Sequence, residues 1–338
     1  MRNDLIMLAH GGGGSLTAEL LESVILPALG GRPSRGLTDS AILTAPQGSI
    51  AMTTDSYVVW PLEFPGGDIG KLAVCGTVND LSVAGSVPLA LSLGLILEEG
   101  LELSLLRRVL ASIGRTAAQV GVRVVTGDTK VVERGGVAGM ILNTSGIGSV
   151  LPGAALGFEQ VREGDRVVLS GPLGEHGVAV MGCRKGLGFT AELVSDCAPL
   201  HELTRALVEE LSGAIRFMRD PTRGGLAASL VEIAQESGRD ILAYEESIPV
   251  NRTARAAAEM LGLDLLNVAN EGKLLAVVAP EASGKAVEIL RRFDISKHAS
   301  EIGTIGASSD EPLVELQTAI GGRRIIQMPY GEELPRIC

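Results

Sequence analysis

Four aspartates stand where a carboxylate is costly unless something balances it: Asp55 in "TTDS", Asp80 in "TVNDLSVAG", Asp128 in "VTGDTK" and Asp220 in "MRDPTRGGLA". Asp80 is the sharpest case, because the pattern around it reads as helix and sets it among Val78, Leu81 and Val83, where an unpaired charge is penalised. A divalent cation is the natural partner, since magnesium takes hard oxygen ligands from a few carboxylates and from substrate phosphates. Asp55, Asp80 and Asp128 each end or interrupt an apolar element and read as ligands. Asp220 fits that role and, equally, the turn-to-helix start that Asp-Pro-Thr favours. Asp68 in "PGGD" reads instead as a helix N-cap.

Three glycine-rich stretches accompany the acids: "HGGGG" at 10–14, "FPGGDIGK" at 64–71 and "TRGG" at 222–225. Glycine-exposed amides ahead of a helix form anion nests, to which Lys71 and Arg223 can add charge. Neither the P-loop nor the dinucleotide fingerprint is present, so the combination points to a magnesium nucleotide site of a less common type. Lys130 in "GDTKVV" and Glu271 in "ANEGKLLAVV" border apolar runs; each is either an ion-pair partner or a general base. The last residue, Cys338 in "MPYGEELPRIC", is a thiol with nothing after it to hold it. Beyond Met328 the chain is polar and carries Pro329, Gly331 and Pro335, so it reads as an extended tail, whose last eleven residues span about 35 Å.

These residues need elements to carry them. "SLTAELLESVILPAL" has helical spacing; "AILTAPQGSIAMTTDSYVV" alternates about Gly48 and reads as a hairpin with Asp55 just past its second strand core. A helix opens at Asp68 and closes before Pro88. A strand ("LALSLGLIL"), a helix ("SLLRRVLASIGRTAAQVG") and two strands ("VRVVTGD", "GMILNTSGIGSV") follow. The pattern resets at Leu151-Pro152-Gly153, and the second half repeats the strand-then-helix style. We therefore expect an α/β chain (α+β by some definitions) divided into an arm and helix (1–36), an N-terminal domain (37–155), a C-terminal α/β domain (156–327) and a tail (328–338). At 338 residues two cores are expected.

Forty acidic against 29 basic residues, a net charge of −11 and 3% aromatic content leave no phosphate-neutralising surface or base-stacking platform. The longest near-apolar stretch, Val87 to Leu97, is about half of a membrane span, and the N-terminus lacks a signal-peptide pattern. The expectation is a cytoplasmic protein that engages neither nucleic acid nor membrane. The four cysteines form no C-x-x-C pair, so structural zinc is not expected, and Cys75 in "KLAVCGTV" reads as a small buried hydrophobe.

From residue 10 to residue 338, "HGGGG", "FPGGDIGKLAVCGTVNDLSVAG", "VTGDTKVV", "DPTRGGLA", "VANEGK" and above all the terminal "PRIC" resemble the HypE family of hydrogenase maturation factors. That family belongs to the superfamily of aminoimidazole ribonucleotide synthetase, selenophosphate synthetase and thiamine monophosphate kinase. The internal motifs are shared across the superfamily; the terminal cysteine is the specific part. The resemblance implies a two-domain PurM-like fold, dimerising through the N-terminal sheet, and the cofactors ATP and Mg²⁺. It implies Asp55, Asp80, Asp128 and Asp220 at magnesium, and His10, Gly12, Lys71, Asn79, Thr129, Arg223 and Gly225 at ATP and its phosphates. It makes Lys130 and Glu271 candidates for removing amide protons, and Cys338 the carrier. The implied activity is dehydration, driven by ATP, of a carbamoyl group on Cys338 to a thiocyanate. A HypF carbamoyltransferase would load the thiol, and the cyano group would pass to hydrogenase iron on a HypC–HypD complex. The competing expectations are a synthetase or kinase acting on a free small substrate, and a non-catalytic maturation scaffold.

Overall fold

The computed structural model describes residues 5–12, 14–31, 40–44, 47–186 and 193–328. Cys338 lies outside the described residues, as does the whole tail beyond Met328. A short 3₁₀ turn (Leu8–Gly11) leads into α1 (Ser15–Leu20), a π-helical stretch (Leu21–Ile25) and α2 (Leu26–Ala28).

The first sheet holds β1 (Ile50–Tyr57), β4 (Ser86–Glu98), β5 (Arg123–Val132) and β6 (Met140–Val150) in the order β1-β6-β4-β5; β2 (Glu63–Phe64) and β3 (Gly67–Asp68) form a separate small ribbon. The expected hairpin is not formed: β1 pairs antiparallel with β6, while residues 41–44 take no strand conformation and are exposed. They lack a buried face to hold them on a sheet. Pro88 lies inside β4 at a register shift between Pro88 and Ala90, a place where a missing backbone donor is tolerated.

One face of this sheet is covered by α3 (Ile69–Val83) and α4 (Leu103–Val120). Asp68 caps α3 by accepting from the amides of Gly70 (2.7 Å) and Lys71 (2.9 Å), a device that contributes about 1 kcal/mol. α4 is amphipathic: Leu103, Leu106, Val109, Leu110, Ile113 and Ala117 are buried at helical spacing, and Gly121 ends it in the left-handed region. α3 is buried almost all round, since it also meets α6 (His201–Glu210) and β8 (Ile215–Arg219) of the second half. Among the described residues the sheet's other face is open and carries Ile50 and Met52, 52% and 75% exposed.

The second sheet has seven strands. β7 (Arg166–Leu169), β8, β9 (Arg239–Tyr244), β10 (Leu275–Val278), β11 (Ser300–Ser308), β12 (Val314–Gln317) and β13 (Arg323–Ile326) stand in the order β13-β12-β9-β11-β7-β10-β8. Its middle is covered on both faces. Val167, Leu169, Leu275 and Val277 join one core with α7 (Gly225–Ser237), while Val168, Ala276 and Val278 join another with α6 and α9 (Ser283–Leu290). This is why "KLLAVV" reads as a continuous apolar run rather than an alternating one. α5 (Glu175–Arg184) and α8 (Arg252–Leu261) pack on each other at the side. No described helix is long and apolar enough to cross a membrane.

Candidate active site

Where α3 meets the second sheet, a cavity of about 530 Å³ is lined by Asp55, Asp80, Asp220, Arg223 and Glu271 among the expected site residues. Each arrives for a local reason. β1 alternates, so Thr53, Asp55 and Tyr57 share the face turned to α3, and Thr53 Oγ1 donates to Asp80 Oδ2 at 2.8 Å. β8 and β10 are neighbours with Arg219 paired to Leu275, so the residue after β8, Asp220, comes close to the turn ahead of β10 that carries Glu271. Asn270 fixes that closeness: its amide nitrogen and its side chain both donate to the Pro221 carbonyl, at 3.1 and 3.0 Å. Gly224 and Gly225 then take consecutive positive φ values of 76° and 62° and start α7 at the cavity wall. A Cβ on Gly225 would lie 2.5 Å from the Leu266 carbonyl oxygen.

Crowding of acids in this buried place alters their proton affinities. Asp220 is 8% exposed; burial, then the charge of Asp80, pushes its carboxyl up to about 7. Glu271, 3% exposed, is pushed well up by burial, with Asp220, Asp196 and Asp55 adding repulsion. Asp80 is raised by burial, against the opposing hydrogen bond from Thr53. A cation would relieve all three, and oxygen donors of this kind suit magnesium. Among the described residues, however, no three His, Cys, Asp or Glu side chains converge closely enough to hold a metal by themselves. That agrees with an ion held by one or two carboxylates and completed by substrate phosphates.

Glu271 is held from behind. Its amide donates to Asp196 Oδ1 at 3.1 Å, and Asp196 is ion-paired at 3.0 Å with Lys273, which also reaches Glu175 at 3.1 Å. Burial opposes both charges, yet the pairing holds Asp196 below and Lys273 above their ordinary values.

The remaining expected residues fall elsewhere. Asn79, expected at phosphates, is buried and its amide is spent on protein: it donates to the carbonyls of Ala198 (3.1 Å) and Glu271 (3.3 Å) and accepts from Leu200 N (2.8 Å). Lys71 donates to the Gly66 carbonyl at 2.9 Å and does not line the cavity. A second group collects at β5, the far edge of the first sheet. There Asp128 and Lys130 form an exposed pair at 2.9 Å, 66% and 64% exposed, beside Thr129. The 3₁₀ turn containing His10 packs on the same strand: a Cβ on Gly11 would lie 2.6 Å from Val131 N, and Gly12 follows it. His10 Nδ1 itself accepts from Met7 N at 2.9 Å.

The cavity also takes residues that sequence reasoning passed over. Tyr57 follows Asp55 by two and shares its face; Arg219 directly precedes Asp220; Glu232 lies one turn beyond Ala228 on α7 and is ion-paired with Arg219. Those spacings were readable once Asp55 and Asp220 were suspected. Met328, the last described residue, is in the wall as well, and no local pattern marks it.

Comparison with known proteins agrees with this architecture. The chain matches the AIR synthase related protein N-terminal domain over residues 37–150 and the corresponding C-terminal domain over residues 162–314. It is 47% identical over 338 residues to a carbamoyl dehydratase HypE of Bradyrhizobium diazoefficiens, covering 100% of this chain and 97% of that one. A crystal structure of a hydrogenase maturation protein HypE in complex with ATP superposes with a TM-score of 0.94 at 43% identity, covering 98% of this chain and 99% of that chain. The structure of a HypE–HypF complex matches with a TM-score of 0.80 at 43% identity, covering 94% of this chain and 100% of that chain. With two AIR synthase related domains and full-length identity at this level, the chain belongs to the HypE family of carbamoyl dehydratases.

Proposed function

We propose that this protein dehydrates a carbamoyl group carried on the Cys338 thiol to a thiocyanate, with ATP converted to ADP and phosphate, and so supplies cyanide ligands for hydrogenase iron. The observation that carries this reading is Met328 in the wall of the cavity that holds Asp80, Asp220 and Glu271. Cys338 lies ten residues further on, and ten extended residues span about 33 Å, ample for a thiol to enter that cavity or to leave it for a partner. A HypE–HypF pair is known as a complex, which supports a HypF carbamoyltransferase as the source of the group; a HypC–HypD complex is the acceptor in this reading.

Bound ATP would supply a phosphoryl group that makes the carbamoyl oxygen a leaving group. One or two of Asp55, Asp80 and Asp220 would hold magnesium against its phosphates, and the amides at the start of α7 with Arg223 would face the same anion. Glu271, at the same cavity, takes a proton from the amide nitrogen in its charged form. Loss of the second amide proton with the phosphate leaves the nitrile on sulfur, and the balance is R–S–CONH₂ + ATP to R–S–CN + ADP + phosphate.

The β5 group, Asp128, Thr129 and Lys130 with His10 and Gly12, belongs to a homodimer in this proposal. The open face with Ile50 and Met52 gives an apolar surface for a second copy. Two such sheets packed face to face about a two-fold axis can bring one copy's β5 edge to the other's β1 edge, where the cavity lies. Residues 37–155 then serve nucleotide binding and dimerisation, and 156–327 complete the pocket.

The test is the mass of the C-terminal peptide after incubation with HypF, carbamoyl phosphate and ATP. Wild type should gain one carbamoyl group and then lose one water, whereas Asp80→Asn and Glu271→Gln should stop at the carbamoyl stage. ATP hydrolysis with a peptide that is never modified would refute the reading and favour a free substrate.

A further inference from the structure

We propose that the phenol oxygen of Tyr57 accepts a hydrogen bond from the carbamoyl amide, and that Thr77 and Thr144 hold it in that role; the proposal rests on the dehydratase reading above. Tyr57 closes β1 and lines the cavity together with Gly76, Asp80 and Glu271. Its hydroxyl lies over Gly76, where a Cβ would come within 2.3 Å of the phenol oxygen. The absent side chain on α3 is what lets this group reach the cavity wall.

The direction of the phenol proton follows from a chain of hydroxyls. Thr144 Oγ1 donates to the Ala73 carbonyl at 3.1 Å, and a carbonyl only accepts, so the single proton of Thr144 is committed. Thr77 Oγ1, in close contact with Thr144 Oγ1, must therefore be the donor in that contact. Its own proton spent, Thr77 can only accept from Tyr57, whose hydroxyl is 3.2 Å away. Each hydroxyl has one proton and two acceptor lone pairs. Tyr57 thus turns its proton into the core and retains lone pairs for the cavity.

An acceptor that cannot donate suits one part of the reaction and not another. Phosphate oxygens carry no proton to give it. A carbamoyl nitrogen carries two, and Glu271 is one acceptor for them; Tyr57 supplies the second and fixes the plane of the amide.

The experiment follows conversion of carbamoylated chain in a single turnover, by mass of the C-terminal peptide, with the KM for ATP measured on the same samples. Tyr57→Phe keeps the ring packed on Gly76 and should slow conversion about tenfold, the loss of one hydrogen bond, with the ATP KM within about twofold. Thr77→Val should slow it at least as much, because the freed phenol proton then turns toward the amide. Thr77→Ser restores the hydroxyl and should stay within about twofold of wild type. A tenfold rise in ATP KM with unchanged conversion in Tyr57→Phe would assign the phenol to the nucleotide and overturn the proposal. So would a Thr77→Val variant that folds and converts as fast as wild type. Unchanged conversion in Tyr57→Phe sinks this proposal alone, whereas wild type that never converts its carbamoyl group sinks the dehydratase reading and this proposal with it.

Discussion

Replacing Asp220 with asparagine should stabilise the ligand-free protein while abolishing conversion of the carbamoyl group. Burial and Asp80 raise this carboxyl from an ordinary 3.8 to about 7, so between those values the folded chain keeps a proton that the unfolded chain has released. The sign follows: the contribution of the group to stability is fully present below about pH 3.8 and is lost as pH rises through about 7. Each intervening pH step costs about 1.4 kcal/mol, which sets a ceiling of about 4 kcal/mol above neutrality. Asparagine has the same shape and no charge. Urea unfolding of both proteins between about pH 5 and about pH 8 should show the variant gaining on wild type with a slope of about 1.4 kcal/mol per pH unit, then levelling off above pH 7. Magnesium and ATP should reverse the ranking, because wild type keeps every carboxylate proposed to bind them and so binds them more tightly. A variant less stable than wild type at about pH 8, or a difference that does not change with pH, would refute the argument that Asp220 is a charge held at a cost for its function.

Lys273→Met leaves the buried Asp196 and the part-buried Glu175 without their cation and should cost about 3–5 kcal/mol; adding Asp196→Asn should restore most of that in urea unfolding. Gly272→Ala would set a Cβ 1.9 Å from the Asp196 carbonyl oxygen, a backbone atom with no room to retreat. It should abolish a cooperative melt or cost more than about 3 kcal/mol. The proposed homodimer makes its own prediction: wild type should sediment as a dimer, and Met52→Lys should sediment as a monomer and lose conversion, while its thermal melt stays cooperative.

Much of this site was legible in the sequence, and the rest was hidden for identifiable reasons. Asp68 announced itself as a cap by the glycines before it and the apolar run after it, and Asp80 drew attention by its apolar neighbours before the fold placed it in the cavity wall. Both readings use only local contrast. Asn79 stands beside Asp80 in the same motif, but its amide is spent on Ala198, Leu200 and Glu271, more than a hundred residues away, and no local pattern encodes such a partner. Tyr57 was passed over, because its role depends on the missing side chain at Gly76 and on two threonines from different elements. The expected hairpin failed for a related reason: alternation identifies a strand without naming its neighbour, and β1 found its neighbour in β6, some ninety residues on.

The single amide of Asn79 has a mechanical consequence. It is rooted in α3 next to Asp80 and grips the backbone of Glu271 itself, along with the segment that leads into α6. Asp80 belongs to the first half of the molecule and Glu271 to the second, so this side chain acts as a rivet through the joint between them. The gap between Asp80 and Glu271 is thereby a fixed dimension of the fold, like the throat of a vice with its screw locked. A group too bulky for that throat is turned away without any moving part.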